Sequence, residues 1–348
     1  MVKLAGGALW VAFFLVASYG QAAAQMDVQT VLASGIVINE ILAHTDPPQQ
    51  DAIELYNPTD AAIDIGAWIL ADDNNAKQRY VIPPATVLAP GAYYVVTLDG
   101  DAPFRLSEFG ETIFLFQPGV GDTPGPLVDR ASFGVSPNGV SFGRITLSTG
   151  DTQYALLQAI SLGYANALPQ VGPLVIDEVI YRPADGRDEY VAIRNMGTAP
   201  MTLCDLTATG LPVVLRMDGD DAYVFSCDVV LGPGQRLFVA DATPAEFRTQ
   251  YGLGAGMLVL GPFKGRLSNE GELVEIVWPQ PPETDGTIAY YALDQIDYSA
   301  AAPWPVITSD GLALRRLDLT GYGNDPAHWR AGASSLLEQG VWLPWVAK

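Results

Sequence analysis

The stretch IVINEILAHTDPPQQDAIELYN, residues 36–57, occurs twice in this chain. Its second copy, LVIDEVIYRPADGRDEYVAIRN at residues 174–195, aligns without a gap, so that Val37 corresponds to Val175 and the offset of 138 holds throughout. Each copy contains a β-rich run, a Pro-containing loop and a second β-rich run that ends at Asn. A self-match of this length is typical of a duplicated supersecondary unit. The chain is therefore predicted to contain two similar β domains in tandem.

Short apolar runs continue after each copy and are separated by turns. Gly, Pro, Asn or Asp interrupts them every eight to twelve residues or so, which is typical of a β-sandwich or barrel. Trp68 lies in one such run and is predicted to fill the core of the first domain. The second domain has an insertion: Thr243 to Glu246 forms a capping box with Pro244 at the first helical position, and Gly252 is a stop signal. A short helix over 244–251, absent from the first domain, is predicted.

The composition restricts the class of partner. Asp and Glu outnumber Lys and Arg by 39 to 18 over 348 residues, and the net charge is -21. Such a surface repels polyphosphate, so neither nucleic acid nor an anionic membrane is an expected partner. The hydrophobic fraction of 49% suits ordered domains rather than disorder. The charge favours basic or cationic partners.

Residues 1–24 have the features of a signal peptide. Lys3 supplies the positive region, residues 9–17 are continuously apolar, and residues 22–24 are alanines suited to cleavage. A retained signal anchor is the alternative, but the apolar run is shorter than the roughly 20 residues that span a bilayer. We expect cleavage near Ala24, no transmembrane span in the mature chain, and a secreted or cell-envelope location.

Cys204 and Cys227 are the only cysteines, and both lie in the second repeat. In an exported protein such a pair is more often a disulfide than two free thiols, although two buried reduced thiols are the alternative. At the constant offset, Leu206 corresponds to Trp68, so the bond would tie successive strands of a domain that lacks this tryptophan. Closing the loop is expected to stabilise the domain by roughly 3 kcal/mol.

Five motifs, in the same order along the chain, resemble those of the lamin tail domain, an immunoglobulin-like module that also occurs in exported bacterial proteins. They are the opening V-I-N/D-E, the strand at 53–59, the turn and strand at 88–93, the Leu-Ser…Gly-Glu approach at 106–111, and the closing segment at 323–329. The resemblance covers nearly all of residues 35–334. It implies an all-β protein of two immunoglobulin-like β-sandwich domains in tandem.

The domains are expected at residues 35–168 and 172–334, with a short Pro-containing linker between them. Residues 335–348 form an apolar, aromatic C-terminal tail, which we interpret as either an envelope-retention signal or a terminal strand packed on the second domain. The second copy has Ala192-Ile193-Arg194 where the first has Glu54-Leu55-Tyr56, so a ligand site common to both strands is not expected.

Few residues are candidates for chemistry. His44 and His328 are the only histidines, there is no Gly-x-Ser-x-Gly elbow, and no phosphate-binding Gly loop or dinucleotide fingerprint occurs. We therefore predict no catalytic residues, no cofactor and no enzymatic activity. Glu40 and Glu178 recur at one register and are predicted to accept backbone N–H bonds. The arginines of matching strands, Arg144, Arg315 and Arg316, are expected to pair with these two glutamates.

Acidic residues occupy corresponding turns of the two repeats: Asp72 and Asp73 in the first, and Asp218, Asp220 and Asp221 in the second. Clustered oxygen ligands suit calcium, but Asp is also an ordinary residue of tight turns, and neither run has the spacing of a helix-loop-helix calcium site. The turn interpretation is the prediction, with no metal ligand, and calcium is the alternative.

Three functional classes follow. The first is an exported, non-enzymatic interaction or scaffolding protein whose partner is a protein or glycan at the cell surface. The second is a calcium- or glycan-binding module accessory to other secreted proteins. The third is a hydrolase with a non-standard carboxylate site, which the missing catalytic constellation disfavours.

Overall fold

A computed structural model describes residues 35–98, 103–121, 123–207 and 210–338. The predicted signal peptide lies outside the described residues, and so does the predicted tail from residue 339 onward. Within the described ranges, no helix combines the length and the apolar character that crossing a bilayer requires.

The first repeat forms two facing antiparallel sheets. One has the strand order β11-β10-β1-β2-β7 and the other β5-β4-β8-β9, while β3 pairs with β6. The core between them includes Ile38, Leu55 and Trp68, which is only 6% exposed, so the predicted core role of this tryptophan is confirmed. The strands are β1 (Val37–Leu42), β2 (Asp51–Tyr56), β3 (Ile63–Asp64), β4 (Ile69–Ala71), β5 (Arg79–Val81), β6 (Val87–Leu88), β7 (Tyr93–Leu98), β8 (Glu111–Phe116), β9 (Leu127–Phe133), β10 (Phe142–Thr146) and β11 (Thr152–Leu156).

The second repeat has the same architecture with additions. Its sheets have the orders β21-β20-β13-β12-β24-β25 and β18-β17-β22-β23, with short pairs β14-β19 and β15-β16. The elements are β12 (Leu174–Ile180), β13 (Tyr190–Asn195), β14 (Met201–Thr202), β15 (Cys204–Asp205), β16 (Leu211–Pro212), β17 (Val214–Met217), β18 (Asp220–Val224), β19 (Val230–Leu231), β20 (Arg236–Ala240), α1 (Pro244–Tyr251), β21 (Leu258–Leu260), β22 (Gly271–Pro279), β23 (Tyr290–Ser299), β24 (Leu312–Arg316), a 3-10 helix (Pro326–His328), β25 (Trp329–Ala333) and α2 (Ser335–Glu338).

The all-β prediction of immunoglobulin-like sandwiches is confirmed. The two sandwiches also touch each other: Ser148 N donates to Asp325 Oδ2 at 3.0 Å, and Gln280 Nε2 donates to Ser136 O at 3.2 Å. The domain boundaries at residues 168 and 172 stay a prediction.

Helix α1 covers 244–251, as predicted. Thr243 and Glu246 form the capping box, and Gly252 ends the helix in the left-handed conformation with φ 64°. Phe247 and Tyr251 are buried against Tyr190 on the outer face of the six-stranded sheet. The helix therefore covers this face of the second repeat, and β21 then extends the same sheet by pairing parallel to β20.

Replacing Thr243 with alanine should lower the free energy of unfolding of the second sandwich by about 1 kcal/mol, because the N-cap hydroxyl accepts the Glu246 N–H. Urea denaturation of the two proteins measures the difference. Thr249→Ala is the matched control, since the Thr249 hydroxyl only donates to a helix carbonyl oxygen. An equal loss in both variants would contradict the assignment of the cap.

The predicted disulfide is present, with Cys204 and Cys227 joined by an S–S bond of 2.08 Å. The register used to place it was wrong. Leu206 is 67% exposed, so it does not take the place of the buried Trp68. Ile82 N donates to Trp68 O, and in the second repeat Phe225 N donates to Val213 O, so Val213 corresponds to Trp68. The hairpin β15-β16 is therefore an insertion, and a constant offset cannot be carried across it.

The core of the second repeat contains two tryptophans of its own, Trp304 and Trp329. The disulfide therefore does not compensate for a missing core tryptophan. It ties the inserted hairpin to the turn that follows β18.

Candidate functional site

The two histidines are engaged within their own repeats. His44 Nδ1 lies 2.8 Å from Ser136 O, and its Nε2 lies 3.0 Å from Glu108 Oε2. His328 Nδ1 lies 2.8 Å from Tyr322 O. Neither contacts a nucleophile that would complete a catalytic group in the described part of the chain. The absence of enzymatic activity stays a prediction.

The acidic turns lie between β4 and β5 and between β17 and β18, at the corresponding positions that the sequence predicts. Asp73 Oδ1 accepts from Asn75 N at 2.6 Å, Asp218 Oδ1 accepts from Leu273 N at 3.0 Å, and Asp221 pairs with Arg216 at 2.8 Å. Burial raises the pKa of the Asp72 carboxyl. Asp220 is exposed at the start of β18.

Across the described residues, no three or more His, Cys, Asp or Glu side chains converge on a common metal position. The Asp73 contact is that of an ordinary Asp turn. Asp218 instead ties its turn to the neighbouring strand β22, through the bond from Leu273 N.

A buried ion pair recurs beside the opening strand of each repeat. Both opening strands have a bulge, after Ile38 in β1 and after Ile176 in β12. Asp294 accepts the Ile176 N–H at 2.8 Å, and Arg316 donates to both Asp294 and the Ile176 carbonyl oxygen. The pair therefore satisfies the backbone groups at the bulge.

In the first repeat, Asp129 and Arg144 contact Ile38 in the same way, with an Asp129 to Arg144 distance of 2.9 Å. Burial raises the pKa of both aspartates, while the neighbouring guanidinium groups act in the opposite direction.

The expectation that the recurring arginines pair with Glu40 and Glu178 was therefore wrong for Arg144 and Arg316. Consecutive residues of a strand point to opposite faces, so Arg316 enters the sandwich interior while Arg315 lies on the outer face. There Arg315 Nε comes within 3.9 Å of Glu178 Oε2. The alternation of side chains along a strand shows that its residues lie on two faces, but it does not show which face carries the acidic partner of each arginine.

Glu40 and Glu178 accept backbone N–H bonds, as predicted. Glu40 Oε1 accepts from Ser161 N at 2.9 Å, and Glu178 Oε1 accepts from Ser335 N at 2.9 Å. Each glutamate thus holds a later segment of its own repeat over the outer face of the sheet. In the second repeat this segment begins α2, whose Leu336 is buried.

The outer faces differ beside these glutamates. In the second repeat, Asp177 pairs with Arg194 at 2.8 Å and with Arg236 at 2.9 Å. The strand registers place Tyr56 and Tyr93 of the first repeat at the positions of the two arginines. The tyrosine rings stack with centroids 4.7 Å apart. An aromatic pair therefore replaces a charged group.

The coverage of the two faces differs as well. Val95 corresponds to Phe238, because the first pairs with Glu54 and the second with Ala192 at the repeat offset. Phe238 is 0% exposed beneath α1, whereas Val95 is 38% exposed. The residues Tyr56, Tyr93, Val95, Thr97 and Tyr164 are called the open face below.

Glu54 lies at the edge of the open face and is fully buried. It accepts from Asn39 Nδ2 at 2.8 Å and from Gly163 N. Burial raises the pKa of its carboxyl, against the effect of these two hydrogen bonds. The bond from Gly163 fixes the segment that carries Tyr164, whose side chain is 75% exposed.

A cleft of about 430 Å³ lies between the two sandwiches. Its lining combines aromatic and polar side chains, and Arg216 lies 5.0 Å from the centre of the Tyr290 ring. Burial raises the pKa of the Glu275 carboxyl in this cleft. Six of the lining residues are Tyr154, Arg216, Glu275, Tyr290, Gln295 and Tyr322.

Sequence reasoning missed the open face. One signal was available: helix α1 was expected only in the second repeat, so the face that it covers there lacks this particular cover in the first. Using this signal required knowing that Val95 and Phe238 are equivalent, and that follows from strand register rather than from a constant offset.

Comparison with known proteins gives one family. A family model for the Lamin Tail Domain matches residues 31–134, which include β1 to β9. No curated protein sequence matches the chain. Among solved structures, a DUF4876 family protein from Bacteroides thetaiotaomicron aligns with 12% identity and a TM-score of 0.31, over 89% of this chain and 98% of that one. A likeness of that degree does not establish a shared fold or function.

Proposed function

We propose that this chain, whose residues 31–134 match the family model of the lamin tail domain, is an exported, non-enzymatic interaction protein that binds another protein through the open face of its first repeat. The disulfide favours an oxidising compartment, where such bonds persist.

The observation that carries this proposal is the difference in coverage between the two repeats. The same sheet face is closed by α1 in the second repeat, whereas in the first it exposes Val95 and Tyr164 and leaves Tyr93 half-buried. Grouped apolar and aromatic side chains on a surface mark interaction sites, and tyrosine is enriched at protein interfaces. The charged side chain at the edge of the open face, Glu54, is fully buried and hydrogen-bonded.

Site-specific photo-crosslinking tests the proposal. A photoreactive amino acid at position 95 of the exported full chain should yield a discrete crosslinked cell-surface protein. The same amino acid at position 81 is the matched control, because Val81 is also an exposed valine of an edge strand in the same repeat. Identical products from both positions, or none from position 95, would contradict the proposal.

A saccharide is the second candidate ligand, and the cleft between the sandwiches favours it. Aromatic rings beside arginine, carboxylate and amide groups provide both stacking surfaces and hydrogen-bond partners for a sugar. If a saccharide binds there, it should raise the melting temperature of the wild-type protein. Tyr290→Ala should remove that increase, whereas Tyr164→Ala, outside the cleft, should leave it intact.

Calcium binding by the acidic turns remains the third possibility for a ligand. Asp73 Oδ1 accepts from Asn75 N within its turn, and Asp218 Oδ1 accepts from Leu273 N of β22, so a calcium ion would have to displace these hydrogen bonds. We therefore expect calcium to leave the melting temperature unchanged at constant ionic strength. A saturable increase that Asp218→Asn abolishes would favour the calcium-binding function instead.

A further inference from the structure

The outer edge of β7 presents backbone groups that no described residue pairs with. Asn57 N donates to Ala92 O at 3.1 Å, and Gly91 N donates to Asn57 O at 2.8 Å. Asn57 and Ala92 are therefore a hydrogen-bonded pair, and such pairs recur at every second residue of an antiparallel ladder. The next hydrogen-bonded positions on β7 are Tyr94 and Val96, whose backbone groups point towards β2. The N–H and C=O groups of Tyr93, Val95 and Thr97 therefore point away from the sheet. Such an edge is a template for another strand.

The second repeat shows what fits this edge. There β21 pairs parallel to β20, with Leu237 opposite Leu258, Phe238 opposite Val259 and Val239 opposite Leu260. Leu258 and Leu260 pack against the sandwich core, while Val259 is buried in the outer-face cluster. A short apolar strand therefore satisfies this edge and covers both sides of it.

The equivalent positions on β7 are Tyr94, Val95 and Val96. Because Val95 is smaller than Phe238, and because no described element of the first repeat replaces α1, the central residue of an added strand has more room than Val259 has. The central residue can therefore be a larger apolar side chain, in contact with Tyr93 and Val95.

The charge of the chain adds a second requirement. With a net charge of -21, the protein attracts basic segments. The apolar residues of the added strand are thus expected to be flanked by lysine or arginine.

We propose that the open face binds an extended segment of another exported protein, which adds to β7 as a parallel strand with apolar residues at three successive positions and basic residues beside them. This inference rests on the proposed function and specifies its binding mode. Backbone hydrogen bonds to Val95 supply affinity, and the central side chain supplies specificity.

Peptide titration against the full mature chain tests the mode. The probe is a fluorescent peptide with the sequence of residues 256–261, GMLVLG, flanked by two lysines on each side. We expect saturable binding to the wild-type protein and hydrogen-exchange protection confined to residues 93–97. The variant Val95→Lys should weaken binding about tenfold or more. Val81→Lys should bind as the wild type does, and unchanged melting temperatures would show that both variants are folded.

Two modified peptides test the strand geometry. N-methylation at the position of Leu260 removes an N–H that bonds to the edge, so it should abolish binding. N-methylation at the position of Val259 should be tolerated, because that N–H points away from β7. Equal effects of the two methyl groups would overturn the proposal.

The other outcomes of these experiments also test the proposal. Protection outside residues 93–97, equal binding by Val95→Lys, or no binding would each reject strand addition. A dimer that Val95→Lys dissociates would assign the edge to a second copy of this chain and would overturn the proposal. If the peptide fails while crosslinking from position 95 succeeds, the binding mode is wrong and the proposed function stands. If both fail, the function is rejected as well.

Discussion

Replacing Arg316 with methionine should lower the free energy of unfolding of the second sandwich by about 3–5 kcal/mol, because it leaves the Asp294 carboxylate buried without its partner. Arg316 has a side-chain exposure of 0% and lies over Trp329, so water cannot replace it. It also donates to the Ile176 carbonyl oxygen at the bulge. Urea denaturation followed by tryptophan fluorescence measures the loss.

The first repeat offers the matched control. Arg144 and Asp129 make the same contacts, but their side chains are 16% and 11% exposed. Arg144→Met should therefore cost less than Arg316→Met, since solvent screens the remaining carboxylate. Equal losses would contradict the role of burial.

A double replacement separates the ion pair from the bulge contact. Asp294→Leu combined with Arg316→Met should recover part of the stability, because no charge is then left unpaired. The recovery should be incomplete, because Asp294 also accepts the Ile176 N–H at 2.8 Å. A double variant less stable than Arg316→Met alone would show that the bulge contact outweighs the ion pair.

Reducing the disulfide should destabilise the second sandwich by roughly 3 kcal/mol and leave the first nearly unchanged, because the bond closes a loop in the unfolded chain only there. The two cysteines are 23 residues apart, and no free cysteine is present among the described residues. Hydrogen exchange with and without reductant distinguishes the two sandwiches.

The double variant Cys204→Ser with Cys227→Ser is the control for this experiment. It should be as unstable as the reduced protein and should not respond to reductant. A response of the double variant, or equal destabilisation of both sandwiches by reduction, would contradict the assignment.

Local features were predictable from sequence because their causes are local. The helix at 244–251 depends on a hydroxyl, a carboxylate and a proline within four residues, and the structure places it at those bounds. The sandwich class depends on turn spacing, and the buried carboxylates depend on a register that recurs in both copies. Trp68 was recognisable as core because a large aromatic side chain within an apolar run is rarely left exposed.

Features that depend on partners distant in sequence were not predictable in this way. Asp294 lies 22 residues before Arg316 and 118 residues after Ile176, so their meeting is decided by strand pairing. The inserted hairpin β15-β16 moved the second repeat out of the constant offset, which made the Leu206 assignment wrong even though the disulfide was correct.

The sequence alone thus indicated the duplication, the all-β class and the helix, because each is encoded in neighbouring residues or in their period. The cysteine pair was favoured for another reason, which is that an exported chain has only two cysteines. Only the tertiary structure decided which acid each arginine meets and which sheet face is left uncovered. Exposure of Val95 and burial of Phe238 are set by whether α1 and β21 lie against the strand. The side chains of β7 and β20 do not carry that information, because the exposure of a strand depends on which other element packs against it.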